Sequence, residues 1–263
     1  MINRPRINFH VGFPRVAPKL VHEAASAKSV ANNEKVKVIT RDEHRRIIRP
    51  LVNDSSMISY SGGAISPALE EYKQSLSTAE LVVASQHSLL GSPEQKIDPR
   101  QTLPFASSRL KNLSDIFHEF EISFHIALRS QLSTALMYYR EPELRYKASE
   151  FLDDAMGWSG FLCSLVEENP DREFVVWDFE DEMSAILPFL SGMFEIDQQS
   201  LSEAEVSAIK SAAQPEIALN RIFTFDEKVS EAERREHDEL YARDLEEISS
   251  PTNVSLVRTG HSS

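Results

Sequence analysis

The sequence predicts an α/β protein in which a central parallel β-sheet is covered by helices on both faces. Three observations predict this fold class. Short apolar runs of strand-forming residues alternate with helix-forming segments along the 263 residues. Hydrophobic residues make up 41% of the chain, which is enough for a sizeable buried core. The chain shows neither an internal repeat nor an obvious linker, so we expect one domain over residues 1–259 and a frayed tail at 260–263.

The first half of the chain supplies most of the predicted strands. The run 6–10 is rich in β-forming residues and leads to a glycine, and the run 81–84 is compact and apolar. Pro18 can begin a helix, because a first helical turn tolerates proline. The predicted strands are 6–12, 36–40, 80–85 and 122–128, the helices are 18–31, 41–52, 67–76 and 107–117, and the loops are 53–66 and 88–104.

The second half is predicted to be a mainly helical elaboration over about 140–250. Four apolar residues of the helix 158–167 recur at helical spacing and predict a face turned to the core. The last helix is expected to be mostly solvated, because its apolar positions Leu240, Leu245 and Ile248 are sparse. The predicted helices are 131–139, 144–156, 158–167, 181–193, 200–213 and 227–248, and the strands are 174–177 and 253–257.

Composition excludes several classes of protein. The net charge of −13 disfavours binding to duplex nucleic acid, which needs a basic surface. Cys163 is the only cysteine, so neither a disulfide framework nor a cysteine-based zinc site is expected. The N-terminus lacks the apolar core of a signal peptide, and no apolar run reaches the ~18–20 residues of a membrane span. We therefore expect a cytoplasmic protein that binds no metal and has no membrane span.

Positive charge is concentrated near the N-terminus. The first 50 residues contain eleven Lys and Arg against four acids, so the remainder carries the acidic excess. This asymmetry fits either an anion site in the basic part or solvated helix faces. The predicted strand, loop and helix over 6–31 would direct free N–H groups and a helix dipole at the loop, which favours an anion site there. The pattern G-x-x-x-x-G-K-[ST] is absent, so the loop is not a Walker A loop.

Several collinear segments resemble the bacterial sulfotransferase-like family, a branch of the P-loop fold that uses 3′-phosphoadenosine 5′-phosphosulfate (PAPS). Residues 10–19 resemble its phosphosulfate loop, H-x-G-x-[PH]-[KR]-T-G-T-[ST], and residues 81–93 resemble its strand and S-E-E-N-x-x-G loop. Residues 125–130 resemble a strand ending in the arginine that holds the 3′-phosphate. Residues 175–181 and 241–245 resemble its V-W-x-[FY]-E-D strand end and its C-terminal helix.

The resemblance implies a P-loop-type central sheet and metal-free transfer of a sulfuryl group from PAPS to a hydroxyl or amine of a small-molecule or carbohydrate acceptor. Arg15 and Lys19 would stabilise charge on the transferring group and the leaving oxygen. His87 would act as general base, because histidine titrates near pH 7; a surface loop histidine is the alternative. The implied nucleotide-binding residues are Gly12, Pro14, Arg15, Val16, Ala17, Pro18, Lys19, Arg129 and Ser130.

The sequence departs from the family pattern at the loop. The family's T-G-T-[ST] falls on residues 16–19, which supply no hydroxyl and no glycine, and Pro18 removes one N–H donor. Losing two or three bonds of roughly 1.5–3 kcal/mol each would weaken binding by on the order of a thousandfold. Met137 also stands where the family commonly has serine. A catalytically inactive relative that serves as a binding module, or a loop rebuilt for another anion, therefore stays open.

Two residues, His10 and Trp177, can each be interpreted either as part of the core or as a ligand contact. His10 lies next to the loop, where it is either a core histidine or a ligand contact. Trp177 lies at a predicted strand end, where it either packs in the core or stacks on adenine. For both residues the sequence favours the core. The enzyme interpretation further predicts that Arg15 and Arg129 converge on one cleft at the carboxyl ends of adjacent strands.

Overall fold

A computed structural model describes residues 4–11, 18–48, 67–85, 99–134, 157–222 and 230–258. These residues form one six-stranded sheet with the order β2-β3-β1-β4-β5-β6, and every neighbouring pair of strands is parallel. Helices cover both faces, so the predicted α/β class with a central parallel sheet is confirmed. The predicted loop 53–66, helix 144–156 and tail 260–263 lie outside the described residues.

The elements follow one another from β1 to β6 with helices between them. The strands are β1 Arg6–His10, β2 Val36–Ile39, β3 Leu81–Ser85, β4 Glu121–Leu128, β5 Glu173–Asp178 and β6 Val254–Val257. The helices are α1 Pro18–Ala25, α2 Lys28–Ala31, α3 Arg41–Glu43 with a π-helical continuation His44–Ile48, α4 Pro67–Leu76, α5 Pro99–Ile116, α6 Trp158–Glu167, α7 Glu182–Phe194, α8 Glu203–Ile222 and α9 Glu231–Ile248.

Two hydrophobic cores lie on opposite faces of the sheet. Helices α4, α5, α6 and α9 pack on one face, where Phe9, Phe124 and Phe174 occupy matching positions of β1, β4 and β5. Their ring centroids are 6.0 and 5.5 Å apart, which is a normal spacing for packed aromatic rings. Helices α1, α7 and α8 pack on the other face, with Val21 and Phe189 in its core.

Three predicted helices have wrong boundaries. The helix predicted over 200–213 begins at Glu203 and continues to Ile222, through Pro215, despite the hydrogen bond that this proline cannot make. The predicted helix 18–31 breaks after Ala25, where two i→i−3 backbone bonds tighten the turn and the Ser26 hydroxyl donates to the His22 carbonyl. The predicted loop 88–104 overlaps α5, which begins at Pro99 rather than near 107. Pro99 opens that helix, where its missing N–H costs no hydrogen bond, and Pro104 lies inside it despite the bond it cannot make.

Apart from α8, the predicted elements of the second half that the structure describes fit closely. The four apolar residues of α6 are all buried, as the helical spacing predicted; they are Trp158, Phe161, Leu162 and Leu165. In α9 the buried stripe is Tyr241, Leu245 and Ile248, whereas Leu240 is exposed. None of the helices in the described part of the chain combines the length and the hydropathy that a bilayer crossing requires.

Candidate functional site

The strand order creates a crevice between the carboxyl ends of β1 and β4. The chain leaves β1 toward β2, which lies beyond β3, and it leaves β4 toward β5, on the opposite side. Adjacent strands whose connections run in opposite directions leave a crevice at their carboxyl ends, and such crevices are the usual ligand sites of open α/β sheets. His10 and His125 are register partners there, and the Val11 N–H donates to the His125 carbonyl at 2.9 Å. This edge of the sheet is therefore the candidate site.

The structure describes only some of the predicted site residues. Gly12, Pro14, Arg15, Val16, Ala17 and His87 lie outside the described residues. Pro18 and Lys19 are the first two residues of α1, and only their backbone is described. Arg129 and Ser130 directly follow β4 and are both buried. The predicted convergence of Arg15 with Arg129 stays a prediction.

The hydrogen-bond donors of Ser130 are occupied by a carboxylate of the same chain. The Ser130 N–H donates to Glu180 Oε2 at 2.9 Å, and its hydroxyl donates to Glu180 Oε1 at 3.2 Å. The Ser133 hydroxyl donates to the same Oε1 at 2.6 Å. Glu180 stands two residues past β5, and its own N–H donates to Asp178 Oδ1 at 3.1 Å. An exposed carboxylate thus caps the segment that follows β4 with charge-assisted hydrogen bonds.

A hydrogen bond from α6 holds the backbone of Arg129 in place. The Trp158 indole N–H donates to the Arg129 carbonyl at 2.7 Å, and both residues are buried. Trp158 is placed by Asp244 of α9, whose carboxylate accepts from the Trp158 N–H at 2.8 Å and from the Ser159 N–H and hydroxyl. A Cβ at residue 157 would lie 2.6 Å from Asp244 Oδ1, so Gly157 lets this carboxylate approach the helix start.

A buried tyrosine links α9 to the ends of β4 and β5. The Tyr241 hydroxyl donates to Asp178 Oδ1 at 3.0 Å and lies 3.4 Å from the Leu128 carbonyl oxygen. Burial raises the pKa of the Tyr241 phenol well above its usual value, the Asp178 and Glu180 carboxylates raise it further, and the Arg129 guanidinium offsets part of that rise. The phenol therefore remains a proton donor to Asp178 at every physiological pH.

Among the described residues around the Tyr241 phenol, negative charge exceeds positive charge. Two carboxylates, Asp178 and Glu180, and one guanidinium, Arg129, act on the same phenol. Such a cluster suits a cationic or neutral group better than a doubly charged anion, unless a carboxylate moves or is neutralised. In the described part of the chain no three His, Cys, Asp or Glu side chains are grouped closely enough to hold a metal ion.

The two histidines beneath the crevice belong to the core. His10 Nδ1 and Ser85 Oγ are hydrogen-bonded at 2.9 Å, and the His10 and Phe189 rings form a T-shaped contact with their centroids 5.0 Å apart. The Trp177 indole N–H donates to His125 Nδ1 at 3.1 Å, and both rings are buried. Burial lowers the pKa of His125 to about 3, so its imidazole is a neutral acceptor. The core interpretation is confirmed for His10 and for Trp177.

Sequence reasoning placed Glu180, Tyr241 and Asp244 in two segments of the resemblance but assigned them no role at this edge. Their side chains form hydrogen bonds with residues 47 to 113 positions away along the chain. One local signal was present, because Tyr241, Leu245 and Ile248 recur at i, i+4 and i+7 and mark a buried stripe. The motif around residue 180 gives the position of Glu180 in the sequence, but it does not show that Ser130 and Ser133 donate hydrogen bonds to its carboxylate.

Comparison of the sequence with known protein families and with curated proteins found no match. The resemblance to the sulfotransferase-like family therefore rests on the sequence segments alone.

Proposed function

We propose that this chain is a sulfotransferase-like protein that transfers a sulfuryl group from PAPS to a hydroxyl or amine of a small-molecule or carbohydrate acceptor. The observation that supports the proposal is the adjacency of β1 and β4. Because these strands are parallel neighbours in register, the segment after His10 and the pair Arg129–Ser130 leave the sheet at the same crevice. Those are the two segments that the resemblance to the sulfotransferase-like family assigns to the two ends of the nucleotide.

The proposed chemistry is an in-line displacement at sulfur. The acceptor oxygen or nitrogen forms a bond to sulfur as the bond from sulfur to the phosphate oxygen breaks, and adenosine 3′,5′-bisphosphate leaves. Catalysis of this kind depends on positioning and on stabilising the charge of the transferring group and the leaving oxygen. Arg15 and Lys19 would supply that charge, and His87 would take the acceptor proton.

A binding module without catalysis is the second candidate. It is favoured by the occupied donors of Ser130, which bond Glu180 at 2.9 and 3.2 Å. It is also favoured by the loop sequence, in which Pro18 and Ala17 replace a threonine and a glycine of the family pattern. Both features weaken a nucleotide cradle without disturbing the fold.

Thermal-shift titration with adenosine 3′,5′-bisphosphate tests the proposal. A ligand at about 100 times its Kd stabilises the folded state by roughly 2.7 kcal/mol, so Tm should rise with concentration. Arg15→Ala should remove the rise. Lys35→Ala is the charge-matched control, because Lys35 is exposed and pairs with Glu80 at the opposite end of the strands, and it should keep the rise.

Sulfuryl transfer is then measured from labelled PAPS to a panel of hydroxyl and amine acceptors. Transfer that disappears in Arg15→Ala supports the enzyme. A Tm rise without transfer to any acceptor supports the binding module. Unchanged Tm at millimolar nucleotide in the wild-type chain would overturn the enzyme and support a module that binds something other than this nucleotide.

A further inference from the structure

Strand β6 forms one edge of the sheet, and among the described residues no other strand pairs with its outer side. An N–H of β5 donates to the Asn253 carbonyl at 2.9 Å, so the backbone groups of residue 253 face β5. Because successive residues of a strand direct their N–H and C=O groups to opposite sides, Ser255 also bonds toward β5. Val254 and Leu256 direct theirs away from the sheet, although the Val254 N–H is used in a turn with the Pro251 carbonyl. The outer side of β6 therefore offers backbone groups to another strand.

The two edge strands of the sheet differ in how they oppose further pairing. At the other edge, β2 carries Lys37, whose ammonium donates to the Ser75 carbonyl at 3.3 Å. A lysine on an edge strand is a common device that keeps a second strand away. The sequence of β6 is Val-Ser-Leu-Val, without a charge or a proline, and its three apolar side chains are only partly buried. Such an edge favours pairing with another strand.

The two ends of β6 adjoin opposite charges. Exposed Arg258 directly follows the carboxyl end of the strand. Exposed Glu246 and Glu247 lie in the last turn of α9, which leads into the amino end of β6 through the short segment 249–253. A second β6 that runs antiparallel to the first would bring each basic end against an acidic end, whereas a parallel one would bring like charges together.

The neighbouring strand β5 does not reverse this pattern. At its start, two further exposed acids, Asp171 and Glu173, stand beside a single base, Arg172. At its end, the Asp178 and Glu180 carboxylates already accept hydrogen bonds from α9, from the turn after β5 and from the segment that follows β4. The charges therefore favour a second copy of this chain, placed antiparallel, over a strand of arbitrary direction.

We infer that the outer side of β6 pairs antiparallel with β6 of a second copy of this chain, so that two six-stranded sheets join into one around a twofold axis. Leu256 lies at the axis, where its N–H and C=O exchange two hydrogen bonds with Leu256 of the second copy. The Val254 carbonyl accepts from the Arg258 N–H of the second copy. This pairing would hold whether or not the chain binds a nucleotide.

Sedimentation equilibrium of the full chain tests the pairing. At about 100 μM we expect the mass of two chains, because interfaces range from micromolar to picomolar affinity. Leu256→Pro removes the outward N–H but keeps the bonds to β5, since an edge strand tolerates a proline whose nitrogen faces away from the sheet. This variant should have the mass of one chain, and circular dichroism checks that it is folded.

Val38→Pro is the matched control on the other edge strand. The Leu81 N–H of β3 donates to the Lys35 carbonyl, so the backbone groups of Val38, three residues on, face away from β3. This proline also replaces a partly buried apolar residue, and it should leave the mass of two chains.

A second variant keeps the test decisive should Leu256→Pro fail to fold. Arg258→Glu changes an exposed side chain and should raise the dimer Kd at least tenfold, because like charges would then meet at both ends of the pair. Arg45→Glu makes the same change of charge at an exposed residue that follows β2, and it should leave the Kd unchanged. Amide exchange should show the Leu256 N–H protected in the dimer and open after dilution.

The contrary results are equally specific. The mass of one chain at about 100 μM would overturn the inference. A protected Leu256 N–H in such a monomer would show that a segment of the same chain covers the edge. A mass of two chains that persists in both Leu256→Pro and Arg258→Glu would place the interface elsewhere. Equal effects of Leu256→Pro and Val38→Pro would also overturn it, because the loss would then reflect general destabilisation.

Discussion

The two faces of the sheet differ along the central strands β3, β1 and β4. The face covered by α4, α5, α6 and α9 presents only apolar and aromatic side chains there. The face covered by α1, α7 and α8 includes a row of polar side chains. The polar side chains are Asn8, His10, Ser85, Ser123 and His125. Volume and shape hold the first face together. On the second face, directional hydrogen bonds join the strands to one another and to α7.

The hydrogen bonds of the polar face fix α7 over the strands that form the crevice. The Asn8 side-chain amide donates to the Met193 carbonyl at the end of α7 at 3.0 Å, and the Arg6 guanidinium pairs with Glu195 just beyond it. Gly192 of α7 lies against the Trp177 ring, where a Cβ would be 2.4 Å from a ring carbon. A helix held in this way cannot slide along the sheet without losing several bonds at once.

The largest expected effect is on the apolar face. Phe124 is fully buried between Phe9 and Phe174, so Phe124→Ala should lower the free energy of unfolding by about 3–5 kcal/mol. Phe124→Leu keeps most of the volume and should cost clearly less. Urea denaturation of the three proteins measures the difference. Equal losses for both variants would show that this face does not depend on packing volume.

Lowering the pH should destabilise the fold mainly through a histidine on the polar face. The pKa of buried His125 is about 3 in the folded chain, below the usual 6.5. Between pH 3 and pH 6.5 the unfolded chain therefore binds a proton that the folded chain does not bind. Stability from this group is complete above pH 6.5 and falls by about 1.4 kcal/mol for each pH unit below it.

Chemical denaturation between pH 7 and pH 4.5 measures the slope. His125→Gln keeps an acceptor for the Trp177 indole and should flatten the slope, whereas His118→Gln, at an exposed histidine, should leave it unchanged. A slope that persists in His125→Gln would place the acid sensitivity elsewhere.

The smallest expected effect is a difference in stability between alanine substitutions of two serines on the polar face. Ser85 is bonded to His10, so Ser85→Ala should cost about 1–2 kcal/mol. Within the part of the chain that the structure describes, the buried Ser123 hydroxyl has no hydrogen-bond partner, so Ser123→Ala should be neutral or slightly stabilising. Thermal melts of both variants check this. Equal losses would mean that burial, and not the bond to His10, decides the cost.

The sheet could be predicted closely from the sequence, because strands buried on both faces are continuous apolar runs. The predicted strands 36–40, 122–128 and 174–177 each agree with the structure to within one residue at either end. Helix ends were less accurate, since the break after Ala25 and the start at Pro99 depend on local bonds and on packing that composition does not show.

The candidate site was predictable only in part. The position of Arg129 and Ser130 after a central strand follows from the apolar run before them. The partner of Ser130 does not, because Glu180 is 50 residues away and reaches it only once β4 and β5 are paired. The same holds for Tyr241, whose contact with Leu128 spans 113 residues.

The most direct test of the account is a crystal structure of the full chain grown with adenosine 3′,5′-bisphosphate. We predict nucleotide density outside the carboxyl ends of β1 and β4, with the 5′-phosphate toward the segment that follows His10. Density at another edge of the sheet, or an empty crevice at saturating nucleotide, would contradict it.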